Sequence, residues 1–434
     1  MARVAIIVIV FSCACVLASG TVGGATPPPS AASQSVQRAI VAAVENDRRI
    51  YGGRTPVPGV VIGVWDGSGG SYVRAFGYAD LGSKRPLSSV DHFRIGSNTK
   101  TFVVSGILQL VDEKKLSLDD PVSRFAIGVR VPNADKITIR ELCNMRSGLF
   151  EAFDSPQFNH IDLTPEMKFD LRTIIGWAVQ QKPYFAPGKG YHYSNTNYLI
   201  RGLIIETVTH DSVGDQIRKR LLKPFALSQT SYPDSQAMPA PWAHGYGLDK
   251  HRAWEDVSGT IPVSAMGAAG AMISDMADIK RWIQLYVTGQ TSAPATYRAL
   301  MECIPIGDGN LAFGLGLGCS AGWYGYTGGL PGYNTADYYF PATGATIVAW
   351  VDVQADKPAP GVANAIFRDI ARIMTPGHDP FAQIGKGPRG AVAGTFLQER
   401  HVPPQDRLIA SRVPPKWLYN VRPWRGSIRR WPSR

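Results

Sequence analysis

The sequence predicts a mixed α/β fold of the α+β kind, built as two lobes that share one cleft. Three observations carry this. The 434 residues are 44% hydrophobic and 18% charged, enough apolar material for a core larger than one compact lobe holds. Strand-like runs gather towards both ends of the chain, while the middle, about 137–225, is helical and turn-rich. No internal repeat is visible, which argues against solenoids and propellers.

Residues 1–25 read as an export signal: Arg3 supplies a positive start, an apolar run follows from Val4 to Ala18, and small residues lead to cleavage near Gly20 or Ala25. The run is short for a transmembrane helix; an uncleaved anchor is the alternative, and lipidation of Cys13 or Cys15 a weaker one. An exported protein, secreted or held at the cell envelope, is the expectation. Residues 26–35, with the Pro27-Pro28-Pro29 run, form a linker by composition and should be flexible.

The folded domain is expected over 36–376. Apolar spacing from Val36 to Asp47 suits an amphipathic helix, and strand-like runs at Gly59 to Trp65 and Tyr72 to Tyr78 flank Gly-Ser-Gly-Gly as a hairpin. Ser97 to Asp112 reads as a central helix with a mostly apolar body. Ile137 to Phe225 alternates helical stretches with Pro-Gly and Asn-rich loops and forms the helical lobe. Small apolar residues from Gly267 to Ser274 precede a helix over Met276 to Val287. Late strands follow at Tyr324 to Gly328, Ala336 to Phe340 and Ala345 to Val353, and a helix over Val362 to Met374 closes the domain. In residues 377–434 prolines interrupt any period, with Trp417, Trp424 and Trp431 set between arginines, the composition of an appended tail.

The formal charge of +11 invites a nucleic-acid reading until it is located. From Lys386 to Arg434 there are 11 Lys/Arg against 2 acids, a net of +9, which leaves +2 for the preceding 385 residues. No nucleic-acid partner is therefore expected. The tail is expected either to touch anionic membrane lipid or cell-wall polymer, since arginine and tryptophan suit such an interface, or to be an inert extension. Two of the five cysteines lie in the signal. Of the rest, Cys303 and Cys319 can pair, leaving Cys143 free. Histidines and cysteines are scattered, so neither a metal nor a cofactor is expected.

Three short elements carry chemistry. Ser97-Asn98-Thr99-Lys100 opens the central helix and puts hydroxyl and amine three residues apart on one face. A serine hydroxyl needs a base beside it, and a lysine serves only when burial and positive potential lower its pKa. The helix N-terminus works in that direction. Tyr193-Ser194-Asn195 follows a Pro187-Gly188 turn. Its phenol can relay a proton if the neighbouring lysine lowers its pKa, and Asn195 can bond both that lysine and a substrate amide. Tyr326-Thr327-Gly328-Gly329 lies on a late strand whose glycines let a substrate approach the backbone. The backbone N–H groups of Ser97 and Gly329 can then form an oxyanion hole. Taken singly, each element also reads as a helix cap, a packed tyrosine or a turn.

Together and in this order they resemble the serine β-lactamase family, in the branch of class C β-lactamases, DD-peptidases and penicillin-binding proteins that also contains β-lactamase-like esterases. The resemblance runs over about 36–375 through further phrases: Leu118-Asp119-Asp120-Pro121-Val122, Ile137-Thr138-Ile139-Arg140-Glu141-Leu142, Ser147-Gly148-Leu149, and Ala269-Gly270-Ala271-Met272-Ile273-Ser274 before Asp278. It implies a β-lactamase/transpeptidase-like fold, with an antiparallel β-sheet flanked by helices and a mostly helical lobe. It also implies Ser97 as nucleophile, Lys100 and Tyr193 as proton-transfer partners, and Asn195, Tyr326, Thr327 and Gly328 as substrate-binding residues. The implied substrate is a small molecule or a peptidoglycan peptide.

Two departures bear on substrate choice. The family usually has lysine or histidine where Tyr326 stands, a group that helps hold a substrate carboxylate. A neutral tyrosine gives up a charge-assisted hydrogen bond worth roughly 1.5–3 kcal/mol. Weak or absent β-lactamase activity and a preference for uncharged esters or modified peptides are therefore expected. Cys143-Asn144-Met145-Arg146 stands where Thr-His-Thr is common, and Arg146 is a candidate to restore positive charge near the cleft. The competing expectations are a DD-carboxypeptidase and a non-catalytic binding module on the same fold.

Overall fold

In the computed structural model, which describes residues 30–381 apart from 32, 53–54, 308 and 355–360, the hairpin foreseen around Gly-Ser-Gly-Gly becomes part of a nine-stranded sheet. Gly59–Trp65 pairs antiparallel with Ser71–Asp80 on one side and with Ala345–Val351 on the other. The full strand order is Arg85–Pro86, Ser71–Asp80, Gly59–Trp65, Ala345–Val351, Tyr333–Phe340, Trp323–Leu330, Gly318–Ser320, Leu311–Phe313 and Ile304–Pro305. Every neighbouring pair is antiparallel. Gly59–Trp65 and Ala345–Val351 are almost wholly buried because helices cover both faces.

One face packs on the amphipathic helices Gln34–Tyr51 and Val362–Met374, in a cluster that includes Ile40, Val44, Ile62, Ala349, Ile366 and Phe367. The other meets Met276–Val287 and the central helix Thr99–Asp112, and this second core continues through Leu199, Leu203 and Ile174 into the helical lobe. In that lobe Ile139–Cys143 opens on a capping box, with Thr138 accepting from the Glu141 amide and Glu141 from the Thr138 amide. Cys303 and Cys319 are joined by a disulfide, and Cys143 is a buried free thiol.

The described end of the supposed linker is packed. Ser30 Oγ and the Ala31 amide both donate to Asp66 at 3.0 Å, and Ala31 is fully buried. Composition undervalued this stretch because the carboxylate that holds it lies 35 residues further on. The export signal, the proline run and nearly all of the basic tail lie outside the described residues. Among the described residues no helix is long and apolar enough to cross a membrane.

Asp47, on the inner side of Gln34–Tyr51, is 2% exposed, and its Oδ2 is buried without a hydrogen-bond partner. Burial pushes its pKa up from 3.8 to about 7, with the Asp369 charge adding and Arg368 opposing. Between those two values the folded state keeps a proton that the unfolded state has lost, so stability falls as pH rises through that window. Asp47→Asn should remove this loss. We expect a higher Tm than wild type at pH 8, by on the order of 1–2 kcal/mol of stability, and little difference at pH 4. An equal Tm difference at the two pH values would rule the account out.

Candidate active site

Ser97 is fixed by the turn that joins a strand to the central helix. Phe93–Arg94 pairs with Ile273–Ser274, and the Ile95 amide donates to the Met272 carbonyl at 3.0 Å. The chain then reverses at Gly96, whose φ of +50° suits glycine; a Cβ there would lie 2.9 Å from the Gly329 nitrogen. Ser97 sits in the short Gly96–Asn98 turn that feeds Thr99–Asp112. Asn98 Nδ2 donates to Thr335 Oγ1 at 2.8 Å, and Thr99 Oγ1 accepts from the Met272 amide at 3.0 Å. The serine is thus tied to the sheet and to the segment after Val263–Gly270.

Lys100, one helical turn on, is completely buried. Its Nζ lies 2.9 Å from Ser97 Oγ, 2.7 Å from Asn195 Oδ1 and 2.6 Å from the Ala269 carbonyl. Burial holds its pKa well below the ordinary lysine value. The Glu151 carboxylate pulls the other way, and the Arg201 guanidinium adds to the burial. Its place in the first turn of the helix also disfavours the ammonium. A neutral amine in contact with a serine hydroxyl can accept its proton.

Tyr193 Oη lies 2.8 Å from Ser97 Oγ on the other side. Burial pushes this phenol above its ordinary pKa, and the hydrogen bond with Ser97 only partly opposes that. The expected lowering by the lysine is absent: burial dominates, and Glu151 and Tyr198 raise the phenol further. Tyr193 therefore keeps its proton and can pass it to a departing group, while Lys100 is the stronger candidate for base. Asn195 turns its Oδ1 to Lys100 and its Nδ2 to Glu151 Oε1, 2.9 Å away, and its backbone amide donates to Glu151 Oε2. Glu151, 2% exposed, also accepts from the Phe153 amide at 3.1 Å. It fixes which end of the Asn195 amide faces the lysine.

The third element is only partly placed as expected. Gly329 lies against Gly96 and lines the cavity beside Ser97, where its amide and that of Ser97 can serve a developing oxyanion. Tyr326, expected to touch substrate, is fully buried instead, edge-on to Phe313 and in the hydrogen-bonding circle of Tyr193 and Tyr198. Gly328 faces the same way: a Cβ there would lie 2.1 Å from the Ile95 carbonyl, so its glycine allows the close approach of strand and turn. Thr327 pairs with Ala336 and is buried. None of these three lines the cavity beside the serine.

That cavity is bordered by Ser97, Asn195 and Gly329 together with Phe153, Phe158, Ile261, Met266 and Leu330. Gln354 is its further polar side chain, and among the described residues no lysine or arginine lines it. Arg146 does not supply the missing charge; it bonds the Pro305 carbonyl at 3.3 Å on the outside. Among the described residues no group of three or more His, Cys, Asp or Glu side chains could hold a metal ion. Glu151 and the Ala269 carbonyl were not foreseen from sequence: the first is a single acid outside any spacing rule, and the second acts through its backbone.

A Beta-lactamase family model matches residues 37–370. Protein flp of Staphylococcus aureus (strain MRSA252) is 28% identical over 240 residues, 53% of this chain and 44% of that protein. Penicillin-binding protein 4* of Bacillus subtilis (strain 168) is 26% identical over 61% of each chain. The chain thus spans less than two thirds of the length of these curated relatives. Among solved structures, a D-stereospecific amidohydrolase from Streptomyces sp. superposes with a TM-score of 0.68 at 27% identity, covering 78% of this chain and 98% of that one.

Proposed function

Because the chain belongs to the beta-lactamase family of serine hydrolases, we propose that it cleaves an uncharged amide or ester through an acyl-enzyme on Ser97. The observation that carries this reading is the fully buried Lys100 amine in direct contact with Ser97 Oγ. Lys100 takes the serine proton as Oγ bonds to the carbonyl carbon, and the Ser97 and Gly329 amides hold the oxyanion. The Tyr193 phenol protonates the leaving nitrogen or oxygen and regains a proton from Lys100. Water then attacks the ester by the reverse relay, releasing acid and free serine.

The substrate reading rests on the lining of the cavity, which is mostly aromatic and aliphatic, with no cation among the described residues to hold a carboxylate. The similarity to a D-stereospecific amidohydrolase supports amides of apolar amino acids as one class to try. The similarity to penicillin-binding protein 4* supports a D-alanyl-D-alanine carboxypeptidase as the second reading. The disulfide suits action outside the cytoplasm, in keeping with the expected export signal. Purified protein should be tried on p-nitrophenyl esters, D- and L-amino acid amides, nitrocefin and D-Ala-D-Ala peptides. We expect turnover of an uncharged ester or amide, with nitrocefin slower by about two orders of magnitude, the loss of one charge-assisted contact. Efficient nitrocefin hydrolysis would sink the substrate reading, and release of D-alanine would favour the carboxypeptidase.

A further inference from the structure

The helix Thr196–Thr209 is apolar around Arg201, with Ile200, Leu203 and Ile204 buried beside it, yet Arg201 is itself 0% exposed. A residue there for packing alone would be leucine or methionine. Its Nε donates to the Asn197 carbonyl at 3.3 Å, and the other groups that meet the guanidinium are the Tyr198 and Cys143 side chains, neither of them a carboxylate. None of the ion pairs among the described residues includes it. A cation buried without a carboxylate is costly, so its place needs a reason.

The reason lies across one aromatic ring. Arg201 Cζ stands 3.0 Å from the centroid of Tyr198, and Lys100 Nζ stands 5.1 Å from the same centroid. The two cationic centres are therefore no farther apart than those two distances together. We propose that Arg201 is an electrostatic positioning residue whose guanidinium, sharing the Tyr198 ring with Lys100, keeps the Lys100 amine neutral and able to take the Ser97 proton. The inference rests on the acyl-enzyme reading given above.

The groups around the pair leave little else to do this. Tyr198 lies on the arginine's own helix, Cys143 on Ile139–Cys143, Tyr286 on Met276–Val287 and Tyr326 on Trp323–Leu330. Tyr193 faces Lys100 from the loop before the helix. Burial raises the pKa of every one of them, so all are neutral near pH 7. Arg140 acts on Cys143 from outside. The charges that bear on Lys100 are then Glu151, which favours the ammonium, and Arg201, which opposes it. Asn195 spans Lys100 and Glu151, so the carboxylate is needed to orient the amide, and Arg201 offsets its charge.

The test is the rate at which a fluorescent phosphonate labels Ser97, followed against pH. In wild type the rate should rise with pH as Lys100 loses its proton. Arg201→Met removes the cation and should move the midpoint of that rise up by about one pH unit, slowing labelling about tenfold on the acid side. Arg201→Lys should stay close to wild type. Arg201→Gln, which drops the charge but keeps a polar side chain, should move the midpoint the same way, and it serves as the deciding variant if Arg201→Met does not fold. A folded Arg201→Met that labels more slowly at every pH with an unmoved midpoint overturns the inference, as does an unmoved midpoint in folded Arg201→Gln. If wild-type protein is not labelled at all, the acyl-enzyme reading itself has failed, a result distinct from either.

Discussion

Ser97→Ala should abolish phosphonate labelling and lower kcat/KM on any accepted ester or amide by about 10³-fold or more, the loss that follows removal of an acylated nucleophile. The effect should be purely chemical. Ser97 Oγ touches Tyr193 Oη and Lys100 Nζ. Without it, Lys100 keeps Asn195 Oδ1 and the Ala269 carbonyl as partners and Tyr193 keeps its hydrogen bond with Tyr326, so no buried polar group is orphaned. The fold at this point is set by Gly96, Asn98 and Thr99 through backbone and side-chain bonds that alanine leaves intact. The melting temperature should therefore stay close to that of wild type. Unchanged labelling in the variant would move the nucleophile elsewhere. Folded wild-type protein that neither labels nor hydrolyses any of the substrates would favour a binding module on this fold.

The parts of the site legible in the sequence are those whose geometry is local. Ser97 and Lys100 are related by one helical turn, so their contact follows once the helix is recognised. Gly59–Trp65, Met276–Val287 and Val362–Met374 were also readable to their ends, because clear apolar patterning meets a sharp boundary. For Met276–Val287 that boundary is Asp275, whose side chain accepts from the Asp278 amide at 2.8 Å. Tyr193 and Asn195 needed the order of three motifs, since nothing local brings them to a serine 96 and 98 positions away. The direction of Tyr326 was not legible. Strand alternation decides which face each residue takes, but glycines at 325, 328 and 329 remove the apolar pattern that would have shown it.

Other parts were hidden for different physical reasons. The strands Ile304–Pro305, Leu311–Phe313 and Gly318–Ser320 have two or three residues each, too few for any period to register. Val263–Gly270 breaks at Gly267, where φ is +43°, and that kink precedes the Ala269 carbonyl that meets Lys100. A carbonyl leaves no mark in a sequence. Arg201 reads in one dimension as an ordinary polar residue on a helix, and only the three-dimensional core shows it to be enclosed.

Lys100→Met should be as damaging to activity as loss of the serine, for a different reason. Methionine fills the channel without an amine, so Ser97 keeps its position and loses its base; general-base loss alone costs about 10²–10⁴-fold. Two acceptors, Asn195 Oδ1 and the Ala269 carbonyl, also lose their donor, which costs roughly 1–3 kcal/mol for each one left dry. A lower Tm than that of Ser97→Ala is therefore expected. The pH profile separates the two variants further. Wild-type kcat/KM should climb with pH as Lys100 loses its proton, with a midpoint well below the ordinary lysine value because burial disfavours the ammonium. In Lys100→Met that midpoint should vanish, and the small remaining rate should rise with hydroxide without levelling off. Tyr193 cannot take over as base near neutral pH, since its phenol holds its proton more tightly than a free one. Retention of more than about a tenth of the wild-type rate with the same pH midpoint, against the expected 10²–10⁴-fold loss, would show that Lys100 is not the group that accepts the proton of Ser97.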